Sequence, residues 1–151
     1  TPKDIFDIAE GISEGNVNAA RQAFSQLGKA AADAIVHALD IIDGLVVIGG
    51  GLSGAAKYIV PAMKEQMKSM LSTFGGDHFP CLQSEVYDLN DTEELAEFLR
   101  DDSTLVQVPG TERSVRYRNS RKTGIAVSSI GMSTAIALGA YAFALNNLNK
   151  S

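Results

Sequence analysis

The chain has 151 residues, 45% of them apolar and 21% charged, with a formal net charge of −5. That length admits one domain with a real core, burying roughly 68–70% of the unfolded surface, and hardly two. The acidic balance argues against a dedicated nucleic-acid surface. The lone Cys81 excludes an internal disulfide or a Cys-based metal cluster and favours a reducing cytoplasm.

Thr1-Pro2-Lys3-Asp4 is a helix start: Thr as cap, Pro in the first turn, Asp placed to reach back. It predicts a short helix to about Ala9 or Glu10, then a break over 11–18. A long helix follows from about Asn18 to Ile42. It is rich in alanine, with Phe24, Leu27, Ile35, Leu39 and Ile42 as its apolar stripe, and its small residues permit close backbone approach. Asp43-Gly44 ends it. Leu45-Val46-Val47-Ile48 is a continuous apolar run leading into Gly49-Gly50-Gly51, the pattern of a strand buried on both faces of a parallel sheet. A further helix is expected to about Phe74, with Pro61 in a first turn and the helix in two pieces. Gly75-Gly76 and Pro80 mark a loop.

Glu85–Leu89 reads as a short strand, and Asp91-Thr92-Glu93-Glu94 starts a helix ending near Arg100. Thr104–Val108 and Ser114–Tyr117 read as two strands around Pro109-Gly110. The last helix is expected from about Ile130 to Asn147. Residues 123–149 carry no charge and are long enough to span a bilayer. Ser128, Ser129, Ser133, Thr134, Asn146 and Asn147, with many Ala and Gly, point instead to a buried helix of a soluble protein. The order makes the chain α/β, with central strands flanked by long helices. Because the first residue is Thr1 and no signal-like apolar region follows, a portion of a longer protein is expected.

The glycine loop carries the functional question. Gly49-x-Gly51-x-x-Gly54 satisfies the dinucleotide fingerprint, which would place an FAD or NAD pyrophosphate at the next helix start. Its context is poor: Asp77 stands at roughly the right distance for the ribose carboxylate, but nothing around it resembles a strand, and Tyr58 lies where a small residue is usual. A phosphate-binding P-loop is excluded, since there is no Gly-Lys-Ser/Thr and Lys57 is too far from the glycines.

An Ala-rich helix, then Val-Val-Ile-Gly-Gly-Gly, then Ile130-Gly131-Met132-Ser133-Thr134-Ala135-Ile136-Ala137-Leu138-Gly139-Ala140-Tyr141 is an order and spacing that resembles the C-terminal part of a ROK-family sugar kinase. That family includes bacterial glucokinases and sugar-responsive repressors. The resemblance implies an actin-like ATPase (ribonuclease H-like) fold, with residues 1–151 forming one C-terminal, ATP-side portion of a two-domain protein. It implies ATP with Mg, a hexose substrate and homo-oligomerisation. The site it implies is Gly49, Gly50, Gly51 and Ser53 against adenosine, with the last helix crossing toward the other domain. The family's Asp-x-Gly-x-Thr loop, catalytic Asp, Glu-x-Gly-His element and zinc cysteines have no counterpart here. No catalytic or metal residue is therefore expected in this segment, and the Mg site is expected outside it. A cytoplasmic location is implied, with no membrane and no nucleic acid unless the parent is a repressor.

Other groups have blander readings. Arg113, Arg116, Arg118, Arg121 and Lys122 fit a solvated hairpin face better than a phosphate or interface contact. His37 is expected as a packed or capped helical histidine. Asp77-His78 is read as a surface loop with no nucleophile beside it. Glu93, Glu94 and Glu97, near Asp101 and Asp102, fit a solvated helical face. Gly131, Ala135 and Gly139 form a small stripe suited to core packing or a hinge.

Overall fold

The computed structural model describes residues 1–148, Met132 by its backbone alone. Helix α1 (Pro2–Ala9) opens on the expected capping box: the Thr1 hydroxyl accepts the Asp4 N–H, and the Asp4 carboxylate reaches back to Thr1. Asn16 caps α2 (Val17–Leu39), its side chain accepting the Ala19 N–H at 3.0 Å. Ala20, Phe24, Gly28, Ala32 and Val36, four residues apart, form the buried face of α2. Strand β1 (Val46–Ile48), the glycine loop and a 3-10 turn (Ser53–Ala55) lead to α3 (Ala56–Met67). At Gly28 the two helices nearly touch: a Cβ there would lie 2.5 Å from the Ile59 carbonyl oxygen. Phe24 stacks on Tyr58 of α3 at 6.2 Å and meets Phe6 of α1 edge-on at 6.4 Å.

The chain continues through a β2–β3 hairpin (Met70–Ser72 and His78–Pro80), β4 (Ser84–Asp88) and α4 (Thr92–Leu99). A β5–β6 hairpin (Thr104–Gln107 and Ser114–Tyr117), β7 (Arg121–Val127) and α5 (Met132–Leu148) complete it. The main sheet has the order β1-β7-β4 and is parallel throughout, with Val46 opposite Ile125 and Val86 opposite Thr123. Val46, Ile48, Val86, Ile125 and Val127 turn to one face and join Phe24, Val36, Ile59, Met63 and Met67 in the core. Tyr87 turns to the other face, where it meets Phe98 of α4 edge-on.

Several expectations change. β1 is parallel, as expected, but it is the edge of this sheet rather than buried on both faces. Among the described residues only β7 pairs with it, Val46 and Ile48 are half-buried, and Val47 is 64% exposed on the uncovered face. The long helix stops at Leu39, leaving Ile41 and Ile42 exposed. The helix after the glycines stops at Met67, because Met70–Ser72 pairs antiparallel with His78–Pro80 around a turn in which Gly76 has φ +88°. Pro61 lies inside α3, five residues after its first, where only an early bond of the helix is lost.

The central strand β7 was not expected at all. Its β-branched run is only Thr123, Ile125 and Val127, interrupted by Gly124 and preceded by Arg121 and Lys122. The last helix occupies almost its expected span but residues 133–148 are exposed rather than buried, with Phe143 70% exposed. Gly131, Ala135 and Gly139 accordingly pack against no core, and nothing lies within 4 Å of a Cβ built at either glycine. No helix among the described residues is long and apolar enough to cross a membrane. Residue 149, at the end of the uncharged stretch, lies outside those described.

Candidate functional site

All three strands of the main sheet run the same way, so their carboxyl ends share one edge, where parallel α/β sheets bind ligands. Gly49–Gly51 follow β1 there, Ser128 follows β7, and Leu89, Asn90 and Asp91 follow β4. Gly50 has φ +88°, a conformation side chains rarely adopt. Ser53 closes the turn: its hydroxyl and its N–H both reach the Gly50 carbonyl, at 2.7 and 3.1 Å. The neighbouring glycines are under no such constraint. A Cβ at Gly51 or Gly54 would meet nothing within 4 Å, and one at Gly49 only the Ser128 Cβ at 3.7 Å. The fold therefore does not itself demand glycine at position 51; a flat group resting on bare main chain would.

The α3 start beyond the loop has no side-chain cap; instead the 3-10 turn runs into it, and the Ala56 N–H donates to the Ser53 carbonyl. Beside the same strand ends a cavity of about 400 Å³ lies between α3 (Ala56, Val60, Pro61) and Asp88, Asn90 and Val127. The loop is thus open and adjoins a recess, bringing together the four expected residues Gly49, Gly50, Gly51 and Ser53. Asp88, Asn90 and Ser128 join them at this edge. They were not expected, though an Asp-x-Asn pattern after a strand is a signal for a side chain folding back on the main chain.

The other candidates fall away from this edge. Arg116 pairs with Asp101, Arg118 with Asp102 at 3.2 Å and Arg121 with Asp43 at 3.8 Å. Arg121 and Lys122 belong to β7, not to a hairpin face. The Lys122 side chain is only 2% exposed, and its ammonium donates to the Glu97 and Arg100 carbonyls at 3.1 Å, closing the carboxyl end of α4. Glu94 is not simply solvated: one carboxylate oxygen pairs with Lys64 and the other accepts the Asp88 N–H at 2.8 Å. The Lys64 contact, ahead of the Asp88 bond, holds the Glu94 carboxyl below its ordinary range. Tyr87 is pushed up to about 12, chiefly by the hydrogen bond it gives Glu85. Among the described residues no acidic, histidine or cysteine group is arranged to hold a metal.

His37 is exposed in the last turn of α2 rather than packed. His78 is exposed as expected, but a nucleophile type does stand beside it: the Ser72 hydroxyl lies 2.9 Å from Nδ1 across the β2–β3 ladder. Both residues face open surface, where nothing excludes water from a reaction. The dinucleotide arrangement does not form. The strand after α3 leaves the main sheet, Asp77 sits in a hairpin turn, and Tyr58 faces α1 and α2, its hydroxyl donating to Glu10 at 2.7 Å.

This chain is similar to a glucokinase. The crystal structure of glucokinase from Parabacteroides distasonis ATCC 8503 matches it with a TM-score of 0.78 and 48% identity over 97% of this chain. The present chain spans 39% of that glucokinase. No protein-family model matches the sequence, and no curated protein matches it. The glucokinase likeness is one of sequence as well as fold, and it takes in nearly the whole of the chain described above.

Proposed function

We propose that this chain is the ATP-side, C-terminal portion of an ATP-dependent hexose kinase of the ROK type, with an actin-like ATPase fold. Its parent would transfer the γ-phosphate of ATP to a sugar hydroxyl, at the 6-position if the sugar is glucose. The observation carrying this reading is the open shelf at Gly49–Gly51, unobstructed at the carboxyl edge of a parallel sheet, in a chain 48% identical to part of a glucokinase. Adenine would lie on the Gly49–Gly51 main chain, with Ser53 fixing the turn beneath it. Positioning and charge stabilisation make up most of phosphoryl-transfer catalysis. The base for the sugar hydroxyl and the groups holding Mg and the phosphates would come from the rest of the parent. The isolated chain is accordingly expected to show no turnover.

A ROK-type repressor would share this portion and bind sugar without turnover, and in either case the parent is proposed to be a cytoplasmic homo-oligomer. Glucose-dependent ADP formation by the longer protein tests the reading. Robust turnover supports the kinase. Sugar binding and operator DNA binding without ADP formation would replace it with the repressor. Turnover by residues 1–151 alone would overturn the division of labour.

A further inference from the structure

A line of polar contacts crosses the carboxyl edge of the sheet and ends at the glycine loop. It starts on α3, where Lys64 pairs with Glu94 of α4. Glu94 accepts the Asp88 N–H at 2.8 Å, at the end of β4. Asp88 Oδ1 accepts twice from Asn90, from its N–H at 2.9 Å and from Nδ2 at 2.6 Å. The Nδ2 bond fixes which way the Asn90 amide faces, so that its Oδ1 accepts the Val127 N–H at 3.0 Å, at the end of β7. The next residue, Ser128, donates its N–H to the Ile48 carbonyl at 2.8 Å, one residue before Gly49, and its Cβ is what a side chain at Gly49 would meet.

Asn90 has a particular place in this line. β4 and β7 are parallel and paired as far as Asp88 opposite Ile125, and Leu89 still donates its N–H to the Ile125 carbonyl at 2.8 Å. Beyond that point the ladder stops, and a side-chain amide takes over from the strand. An amide can do this because it accepts through one atom while donating through the other. A carboxylate in its place would face Asp88 with a like charge, and an alkyl group would bond neither strand. Asn90 and Asp88 also line the recess beside the loop.

We infer that Asn90 is a positioning residue: by tying the end of β4 to the end of β7, it sets the height of Ser128 and hence of the Gly49–Gly51 shelf against an adenosine ligand. Asn90 touches no ligand in this role. The inference rests on the reading of the glycine loop as an adenosine shelf.

The test uses the whole 151-residue chain with ATP as probe. It measures affinity by titration and amide hydrogen exchange at Val127, Ser128 and Ser53, whose N–H groups are bonded to Asn90, Ile48 and Gly50. In Asn90→Ala, exchange should accelerate at those three amides and not at Phe24, Ile59 or Met63, and ATP affinity should fall about fivefold, the scale of one lost hydrogen bond. Asn90→Asp keeps the acceptor for Val127 beside a repelling carboxylate, so its affinity should lie between the two. If Asn90→Ala lowers only the midpoint of unfolding, with affinity and exchange at Ser128 and Ser53 unchanged, the residue is merely structural and the inference is wrong. If the wild-type chain does not bind ATP although accelerated exchange at Ser128 and Ser53 is seen in Asn90→Ala, the adenosine reading fails and the coupling to ligand falls with it. The mechanical tie between Asn90 and the loop would survive that result.

Discussion

Helices α2 and α5 are both rich in alanine with one glycine each, yet one anchors the core and the other stands exposed. In α2 the small residues share the chain with Arg21, Gln22, Lys29 and Asp33, and the buried positions fall on one face. α5 has no charged residue, and its bulky side chains, Ile136, Leu138, Tyr141, Phe143 and Leu145, point in every direction and are all exposed. Small residues alone therefore do not fix packing. In α2 they let a partner helix approach until Gly28 meets the Ile59 carbonyl. In α5 the same composition leaves Ile136, Leu138, Tyr141, Phe143 and Leu145 exposed. A helix apolar all round is one that other structure is meant to enclose, consistent with the proposal that this chain is part of a larger kinase.

The comparison can be broken at its strongest point first. Phe24→Ala removes the ring between Phe6 and Tyr58 and should cost about 3–5 kcal/mol in urea unfolding. Gly28→Ala should cost about 3 kcal/mol, because the obstacle is backbone and the two helices must part. An effect under 1 kcal/mol would mean that α2 and α3 do not touch as described. Lys122→Met keeps the apolar stem but strips α4 of its carboxyl-end donor, and should cost about 1.5–3 kcal/mol.

The next effect is one of pH. The folded Glu94 carboxyl titrates below its unfolded value of 4.5, so its contribution is fully present above that value and is lost as pH falls through the folded one. Glu94→Gln should flatten that part of the acid limb of stability against pH. The smallest effect belongs to α5: Leu138→Asp in this chain should change stability by less than about 0.5 kcal/mol. A large loss there would show that α5 packs on the rest after all.

What the sequence made legible was local. The Thr1 capping box, the Asp91 cap of α4 and the turn around Pro109-Gly110 are each written in a few adjacent residues, and each stands where it was expected. β7 was illegible because its identity as the central strand depends on partners 37 and 79 residues away, Asn90 and Gly44, which take up its Val127 N–H and its Thr123 hydroxyl. Lys122 misled for the same reason, since only the fold turns a basic residue in a charged run into a buried cap. At the candidate site the glycines announced themselves, while Asp88 and Asn90 became visible only when β4 and β7 ended side by side.

Calorimetric titration of Mg·ATP into the wild-type chain and into Gly51→Leu tests the central claim most directly. Position 51 has open space and no left-handed backbone, so the leucine should fold without strain. The account predicts saturable binding by the wild type and its loss in Gly51→Leu at an unchanged unfolding midpoint. Equal binding by both proteins would contradict it.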